Sequence, residues 1–323
     1  MLHGNSIMKK QSIKNNSTVD ISICMVSFNS ENVLANCLKS IYASSPSVTR
    51  EIILVDNNSV DGTVNMIRSA FPDVKLIVNK KNVGFSKATN QALRMSGGRY
   101  LLWLNCDTII AHDLLDVMMG FLESHPPAGI VGPKVLNSDG TFQPQCRRGL
   151  PTPYASLGYF LGIDRIWPDN RRLSQYLMRY LPEDEASRVD AVSGCCLLAR
   201  REVYTTTGCI DEDIFGFGED IEWCVRALKE GWEVWYYPGS SIIHLKGEGG
   251  VHVAPFSKDL AMHKAMIVFF RKHLSDKYPF YISFIVIAGI ILHLMVALGK
   301  TAVKRLLINR PVNVATVEEI ERL

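Results

Sequence analysis

The sequence predicts an α/β protein: a mostly parallel sheet with helices on both faces, followed by helices that associate with a membrane. Three observations carry this expectation. Over residues 19–110, near-continuous apolar runs alternate with amphipathic stretches, the pattern of β-α-β units. Each strand-like run ends in a polar cluster, at Phe28–Asn29, Asp56–Asn58, Asn79–Asn82 and Asn105–Asp107. Finally, residues 280–299 hold no Asp, Glu, Lys or Arg, and a helix of that length reaches ~30 Å, about one bilayer core.

The elements follow in order. "ISICMVSF" (21–28) is apolar without alternation, as in a strand covered on both faces. "ENVLANCLKSIY" (31–42) places Val33, Leu34, Cys37, Leu38 and Ile41 on one helical stripe. "EIILVD" (51–56) is a second strand, and Asp61 or Thr63 caps the helix after it. A third strand (74–79) leads to a helix over 86–95, which Gly97–Gly98 stops, and "YLLWLN" (100–105) is the fourth strand. In such sheets ligands bind beyond the carboxyl ends of strands, so the four polar ends predict one rim for a polar ligand.

Residues 126–247 are less regular. "GIVGPKVL" and "AVSGCCLLA" read as strands, 219–231 as a helix with Ile221, Val225 and Leu228 inward, and "EVWYYP" and "SIIHL" as two short strands. "DLAMHKAMIVFFRKH" is apolar on one side and leads to the uncharged run. Basic residues flank that run on both sides (Arg271, Lys272 and Lys277; Lys300, Lys304, Arg305 and Arg310), so the positive-inside rule selects no orientation. The first 18 residues lack an apolar core and read as a disordered leader, not a signal peptide; 311–323 read as a polar tail. A net charge of +3 gives no reason to expect a nucleic-acid surface. Eight cysteines match no zinc or disulfide spacing and read as buried thiols in a reducing compartment.

Several residue types invite chemistry, each beside a plainer reading. Asp107, at a strand end, is a good oxygen ligand for Mg²⁺ or Mn²⁺, or simply a helix cap. Asp56 can accept hydrogen bonds from a nucleobase or ribose, or merely shape the turn of "DNNSVDG". Asn82, Gly84 and Ser86 precede a helix whose N-terminus favours an anion. There is neither a Walker loop nor a G-x-G-x-x-G after the first strand. Glu219 and Asp220 open a helix after two glycines, where the dipole alone accounts for one of them; the other can act as a general base. His244 is either a metal ligand or a packed strand residue. Arg147 and Arg148 suit phosphate or a solvated turn, and Trp223 with Phe217 suits a sugar-stacking wall or the core.

Taken in order, "VSFNSENVLANCLKSI", "ILVDNNSVDGT", "NVGFSKATNQAL", "LLWLNCDT" and the long block from "VSGCCLLARREVY" through "GFGEDIEWCVRALKEGWEVWYYPGSSIIH" resemble glycosyltransferase family 2, inverting enzymes of the GT-A fold. The likeness spans about 19–247 and is greatest to rhamnosyltransferase-like enzymes of bacterial cell-surface polysaccharide assembly. It implies a GT-A domain over 19–250, with a nucleotide-binding half (19–110) and an acceptor half (111–250), and a membrane-associated helical region over 256–310.

The resemblance also implies roles. Ser27, Asn29, Asp56 and Asn58 would contact the donor nucleotide, with Asn82 and Gly84 near ribose or phosphate. Asp107 and His244 would hold Mg²⁺ or Mn²⁺. Asp220 would be the base with Glu219 as its neighbour, and Arg147, Arg148 and Trp223 would touch acceptor or phosphate. One departure is Asn105, which stands where the family's D-x-D motif has its first acid and would hold ribose or metal through its amide. The implied reaction moves a sugar, rhamnose among the candidates, from a dTDP- or UDP-linked donor to a lipid-linked or saccharide acceptor. It would take place on the cytoplasmic face of the cell membrane, with 280–299 as anchor and a homo-oligomer left open. Two rival readings are a sugar-nucleotide nucleotidyltransferase, disfavoured by the lack of a Gly/Arg/Lys-rich loop after the first strand, and a non-catalytic nucleotide-sugar-binding scaffold.

Overall fold

A computed structural model describes residues 19–214, 217–247 and 255–308. The leader (1–18), the polar tail (311–323) and much of the glycine-rich stretch after Lys246 lie outside the described residues. The first half has the expected order: Ile21–Ser27 (β1), Glu31–Ala43 (α1), Arg50–Asp56 (β2), Thr63–Ala70 (α2), Lys75–Val78 (β3), Phe85–Met95 (α3) and Tyr100–Leu104 (β4). The second half continues with Thr108–Ile110 (β5), Leu114–Ser124 (α4), Ala128–Leu136 (β6), Arg147–Arg148 (β7), Pro153–Phe160 (α5), Ile163–Ile166 (α6), Ser187–Val189 (β8), Ala191–Val192 (β9), Cys196–Arg200 (β10), Arg201–Thr207 (α7), Glu219–Lys229 (α8) and Glu233–His244 (β11). Two helices close the described chain, Pro255–His273 (α9) and Phe280–Ile308 (α10).

The main sheet runs β3-β2-β1-β4-β10-β6-β11-β5, with β8 beside β11. β1 to β4 are mutually parallel, so Ser27, Asp56, Val78 and Leu104 end at one rim. β10 then enters antiparallel, pairing Cys196 with Leu104, which brings the turn before it to the same rim. β11 ends there too, with His244 opposite Thr108. The sheet is therefore mixed, and its antiparallel strands bring the second half of the chain to the rim formed by the first.

Every residue of β1 is buried, and α1 turns inward the five residues its stripe predicts. At ~1.5–3 kcal/mol for each large apolar side chain, such burial is the main stabilising term of the sheet. Trp103 on β4 and Trp223 on α8 are both buried with ring centroids 6.5 Å apart, which ties the acceptor-side helix to the sheet.

Four local expectations change. "AVSGCCLLA" is two strands, because the chain turns at Ser193–Cys195 between β9, paired with β7, and β10. "EVWYYP" and "SIIHL" are one strand, β11, whose register shifts between Tyr237 and Ser241 absorb the Pro-Gly pair. Gly97–Gly98 does not stop α3, which ends at Ser96. Gly98 instead lets two backbones meet, since a Cβ there would lie 2.6 Å from the Ser22 nitrogen. Lastly, α9 packs onto the sheet domain: Phe269, Phe270 and Leu274 join the main core, and Lys272 reaches Asp211 and Asp213 at 2.7 Å each.

Candidate active site

The donor side of the rim is a preformed hydrogen-bond lattice. Asp56 is fully buried and accepts from Ser27 Oγ (3.1 Å), Ser59 N–H (2.9 Å) and Ser59 Oγ (2.5 Å). Ser27 is equally buried and donates its hydroxyl to Asp56. Asn29 adopts a positive φ of 49° and its Oδ1 accepts from Val60 N–H at 2.8 Å, latching the first loop to the second. Asn58, at φ 73°, is an exposed turn residue. Asn82 Oδ1 accepts from Asn57 Nδ2 (2.8 Å) and Gly84 N–H (2.9 Å), while Asn57 Oδ1 accepts from Val83 N–H (3.0 Å). Gly84 opens α3 at φ 86°, a conformation that needs glycine.

Beyond β4 the chain does not enter a helix. Asp107 precedes a strand, β5, so the capping reading of Asp107 fails. Its Oδ1 lies 3.3 Å from His244 Nε2, and its Oδ2 accepts from Gly247 N–H at 3.3 Å. His244 Nδ1 meets Gln143 Oε1 at 3.0 Å. Gln143 fixes Nδ1 as the donor and leaves Nε2 aimed at Asp107, the second partner that metal-ligating histidines usually have. Burial draws the His244 pKa down, but Asp107 and Cys195 overcome it and raise it to about 10. Asp107 is buried as well, which raises its pKa, yet contact with His244 leaves it below the ordinary carboxylate value. The two donor atoms are close to the ~3 Å that separates neighbouring ligand atoms of a small octahedral cation, and an O/N pair of this kind suits Mg²⁺ or Mn²⁺ completed by phosphate oxygens and water. Among the described residues no group of three His, Cys, Asp or Glu side chains is arranged to hold a metal ion. Asn105 stands beside them, half-buried, its backbone N–H bonded to Cys195 O at 3.0 Å.

The acceptor side is a buried charge cluster at the start of α8. Asp220 Oδ2 forms an ion pair with Arg148 Nη2 and accepts Gly194 N–H at 2.8 Å; its Oδ1 accepts Ile221 N–H at 2.7 Å. Glu219 Oε2 has no hydrogen-bond partner among the described residues. Burial, with the Asp220 charge second, pushes the Glu219 carboxyl up to about 8. Near neutral pH Glu219 therefore keeps its proton, beside Asp220 and its Arg148 partner. Gly194 is the joint between the two sides. Its N–H holds Asp220, the next residue's carbonyl holds Asn105, and the Cys195 thiol touches His244. A Cβ at Gly194 would lie 3.0 Å from Trp103 and 3.2 Å from Asp220.

Three residues expected to touch acceptor or phosphate are engaged within the fold. Arg147 is buried, gives Nη2 to Leu181 O (2.5 Å) and Nη1 to Pro182 O, and stacks on Tyr236 with 4.8 Å to the ring centroid, so it braces the fold. Arg148 pairs with Asp220. Trp223 is core, its Nε1 donating to Thr207 Oγ1 at 2.9 Å. Sequence reasoning also missed Ser59, Asn57, Gln143 and Gly194. For Gly194 the signal was present, since a glycine within a strand-like run marks a bulge or a close approach. All eight cysteines are free and seven are buried. Burial raises Cys106 to about 12, so its place in the chain matters and its thiol is inert.

The family model described as "Glycosyl transferase family 2" matches residues 22–205. The chain is 28% identical over 229 residues to an N-acetylglucosaminyl-diphospho-decaprenol L-rhamnosyltransferase of Mycobacterium tuberculosis, covering 68% of this chain and 73% of that protein. It is 26% identical to the low-salt glycan biosynthesis hexosyltransferase Agl10 of Haloferax volcanii, covering 65% of this chain and 62% of that one. Among solved structures, S. aureus TarS superposes with a TM-score of 0.53 at 17% identity, and GalNAc-T7 with UDP, GalNAc and Mn²⁺ with 0.54 at 17%. These cover 80% and 79% of this chain but 41% and 48% of theirs. The chain thus spans less than half of either structure.

Proposed function

The chain belongs to glycosyl transferase family 2 and is a glycosyltransferase with a GT-A-like fold, and from that premise we propose that it transfers a sugar, with inversion, from a nucleoside-diphosphate donor to a hydroxyl of a lipid-linked saccharide at a membrane. The observation that supports this is the Gly194 turn, whose backbone N–H binds Asp220 and whose next residue, Cys195, contacts the His244 of the Asp107–His244 pair. The named activity of the M. tuberculosis relative, on a decaprenol-linked acceptor, supports a lipid-linked saccharide and makes rhamnose the first sugar to test.

Asp107 Oδ1 and His244 Nε2 would hold Mg²⁺ or Mn²⁺, which when bound neutralises the charge growing on the leaving diphosphate. The loops after β1, β2 and β3 receive the nucleoside, with Asp56 rigidifying them through Ser27 and Ser59. Asp220 takes the proton of the acceptor hydroxyl while that oxygen bonds to the anomeric carbon and the carbon–phosphate oxygen bond breaks on the opposite face. Arg148 orients Asp220; neutral Glu219 adds no second negative charge. Because attack is direct, no covalent enzyme intermediate forms. α10, an apolar helix almost uncovered by the rest of the chain, supports a membrane anchor; in this reading the site works at the cytoplasmic face, where sugar nucleotides are made.

A donor panel of UDP- and dTDP-sugars with a lipid extract tests the reading. Release of nucleoside diphosphate should require both a divalent cation and the extract, and should be lost in Asp107→Ala. Turnover that survives a chelator, or yields pyrophosphate in place of nucleoside diphosphate, would overturn it.

A further inference from the structure

The acceptor half carries an apolar surface that its fold does not use. α5 and α6 form a short hairpin, residues 153–167, directly after the strand that bears Arg148. α5 is well anchored: Pro153 opens it and Thr152 Oγ1 accepts Ala155 N–H at 3.3 Å. It turns its small residues inward. Ala155 and Gly158 are buried, and Gly158 lies so close to the Leu173 backbone that no Cβ fits. Its large apolar residues point outward: Tyr154, Leu157 and Phe160, then Leu161, Ile166 and Trp167, the last two 71% and 62% exposed. A helix at a water surface shows the reverse pattern, and a contiguous apolar patch of this kind marks an interaction surface.

The position of the patch says what covers it. The Phe160 ring lies 4.3 Å from His293, which is near the midpoint of α10. His293 is held in turn by His263 of α9, Nδ1 to Nε2 at 2.8 Å. The hairpin therefore touches the apolar helix halfway along its length, and α10 likewise exposes large apolar side chains on either side of that contact, at Phe284, Ile291, Leu292 and Met295. Arg165, Arg171 and Arg172 are exposed around it, against Asp169 as the one exposed acid of 165–172, a balance that favours anionic headgroups. Asp164 is neutralised by Arg179 at 2.8 Å.

We propose that the 153–167 hairpin is a second membrane-contacting element, seated in the same lipid surface as α10. This rests on the membrane reading of α10. It places the bilayer within a few residues of Arg148, the partner of Asp220, so a lipid-linked acceptor reaches the base along the hairpin without leaving the membrane.

Trp167 is a natural reporter, because Trp103, Trp223 and Trp232 are buried and Trp235 is half-buried. The full chain is mixed with vesicles of phosphatidylcholine and phosphatidylglycerol, with and without brominated acyl chains, and followed by flotation and tryptophan emission. Wild type should float, and brominated lipid should quench a component that is missing in Trp167→Phe. Leu161→Glu/Ile166→Glu, two surface changes, should still float through α10 but lose that quenching. A chain that floats with no Trp167-dependent quenching overturns the proposal while the α10 reading stands. A chain that does not float sinks both. Trp167 emission that responds to protein concentration and not to brominated lipid would assign the hairpin to a contact between copies, and would equally overturn it.

Discussion

Replacing Glu219 with Gln tests the electrostatic core of the site. Burial and the adjacent Asp220 push the Glu219 carboxyl from 4.5 in the unfolded chain up to about 8. Between those values the folded protein holds a proton that the unfolded chain has released, so stability falls as pH rises. The contribution is fully present below 4.5 and is lost by the time pH passes about 8. At ~1.4 kcal/mol per pH unit the whole window amounts to about 5 kcal/mol, and about 3 kcal/mol of it is lost by pH ~7. Gln resembles the protonated acid in shape and does not titrate. The difference in stability between Glu219→Gln and wild type should therefore grow with pH and level off above about 8. Thermal unfolding in detergent reads this, and for a domain of this size about 3 kcal/mol corresponds to a Tm difference of about 6–12 °C. Any constant cost of the amide shifts both ends of the curve equally and leaves its slope intact. Wild-type activity should also decline through the same window as a second carboxylate ionises beside Asp220, with that limb absent from the variant. A stability difference independent of pH would refute the assignment.

Other expectations concern the joint, the cation pair and the C-terminal helices. Gly194→Ala sets a methyl 3.0 Å from buried Trp103 and 3.2 Å from the Asp220 Cβ; turnover should fall on the order of 10²-fold by misplacing the base, with donor affinity nearly unchanged by calorimetry. Since His244 must lose its proton before Nε2 can hold a cation, and its pKa stands at about 10, apparent Mn²⁺ affinity should rise roughly tenfold per pH unit near neutrality; His244→Ala should remove both the slope and most of the binding in a spin-resonance titration. Truncation before residue 256 should aggregate, because it strips Phe269, Phe270 and Leu274 from the core at ~1.5–3 kcal/mol each, whereas truncation after residue 279 should leave a soluble, folded enzyme by circular dichroism.

The first half was legible because β1, β2 and β4 are buried and the helices between them are striped, so burial and periodicity coincide; β3, at the sheet edge, is half-exposed. The rim could be placed because parallel strands end together. The acceptor half was harder for a physical reason: its strands are short, antiparallel and interrupted. Gly194-Cys195-Cys196 reads as apolar continuity, yet the chain turns there. Pro238-Gly239 reads as a break, yet the β11 ladder passes it with a shifted register. Arg147 and Arg148 read as surface charge because their partners, two backbone carbonyls and the Asp220 carboxylate, come from segments 34 to 72 residues away. Asp107 and His244, 137 positions apart in the chain, were paired in advance only through the family resemblance, and the β5–β11 register supplies the physical reason they meet.

The most direct measurement is turnover by Asp220→Asn at saturating donor and cation, with donor affinity recorded on the same preparation. Loss of the base should lower turnover by about 10²–10⁴-fold while donor affinity stays within a few-fold of wild type. Turnover within a few-fold of wild type would contradict the role given to Asp220 and, with it, the direction of attack.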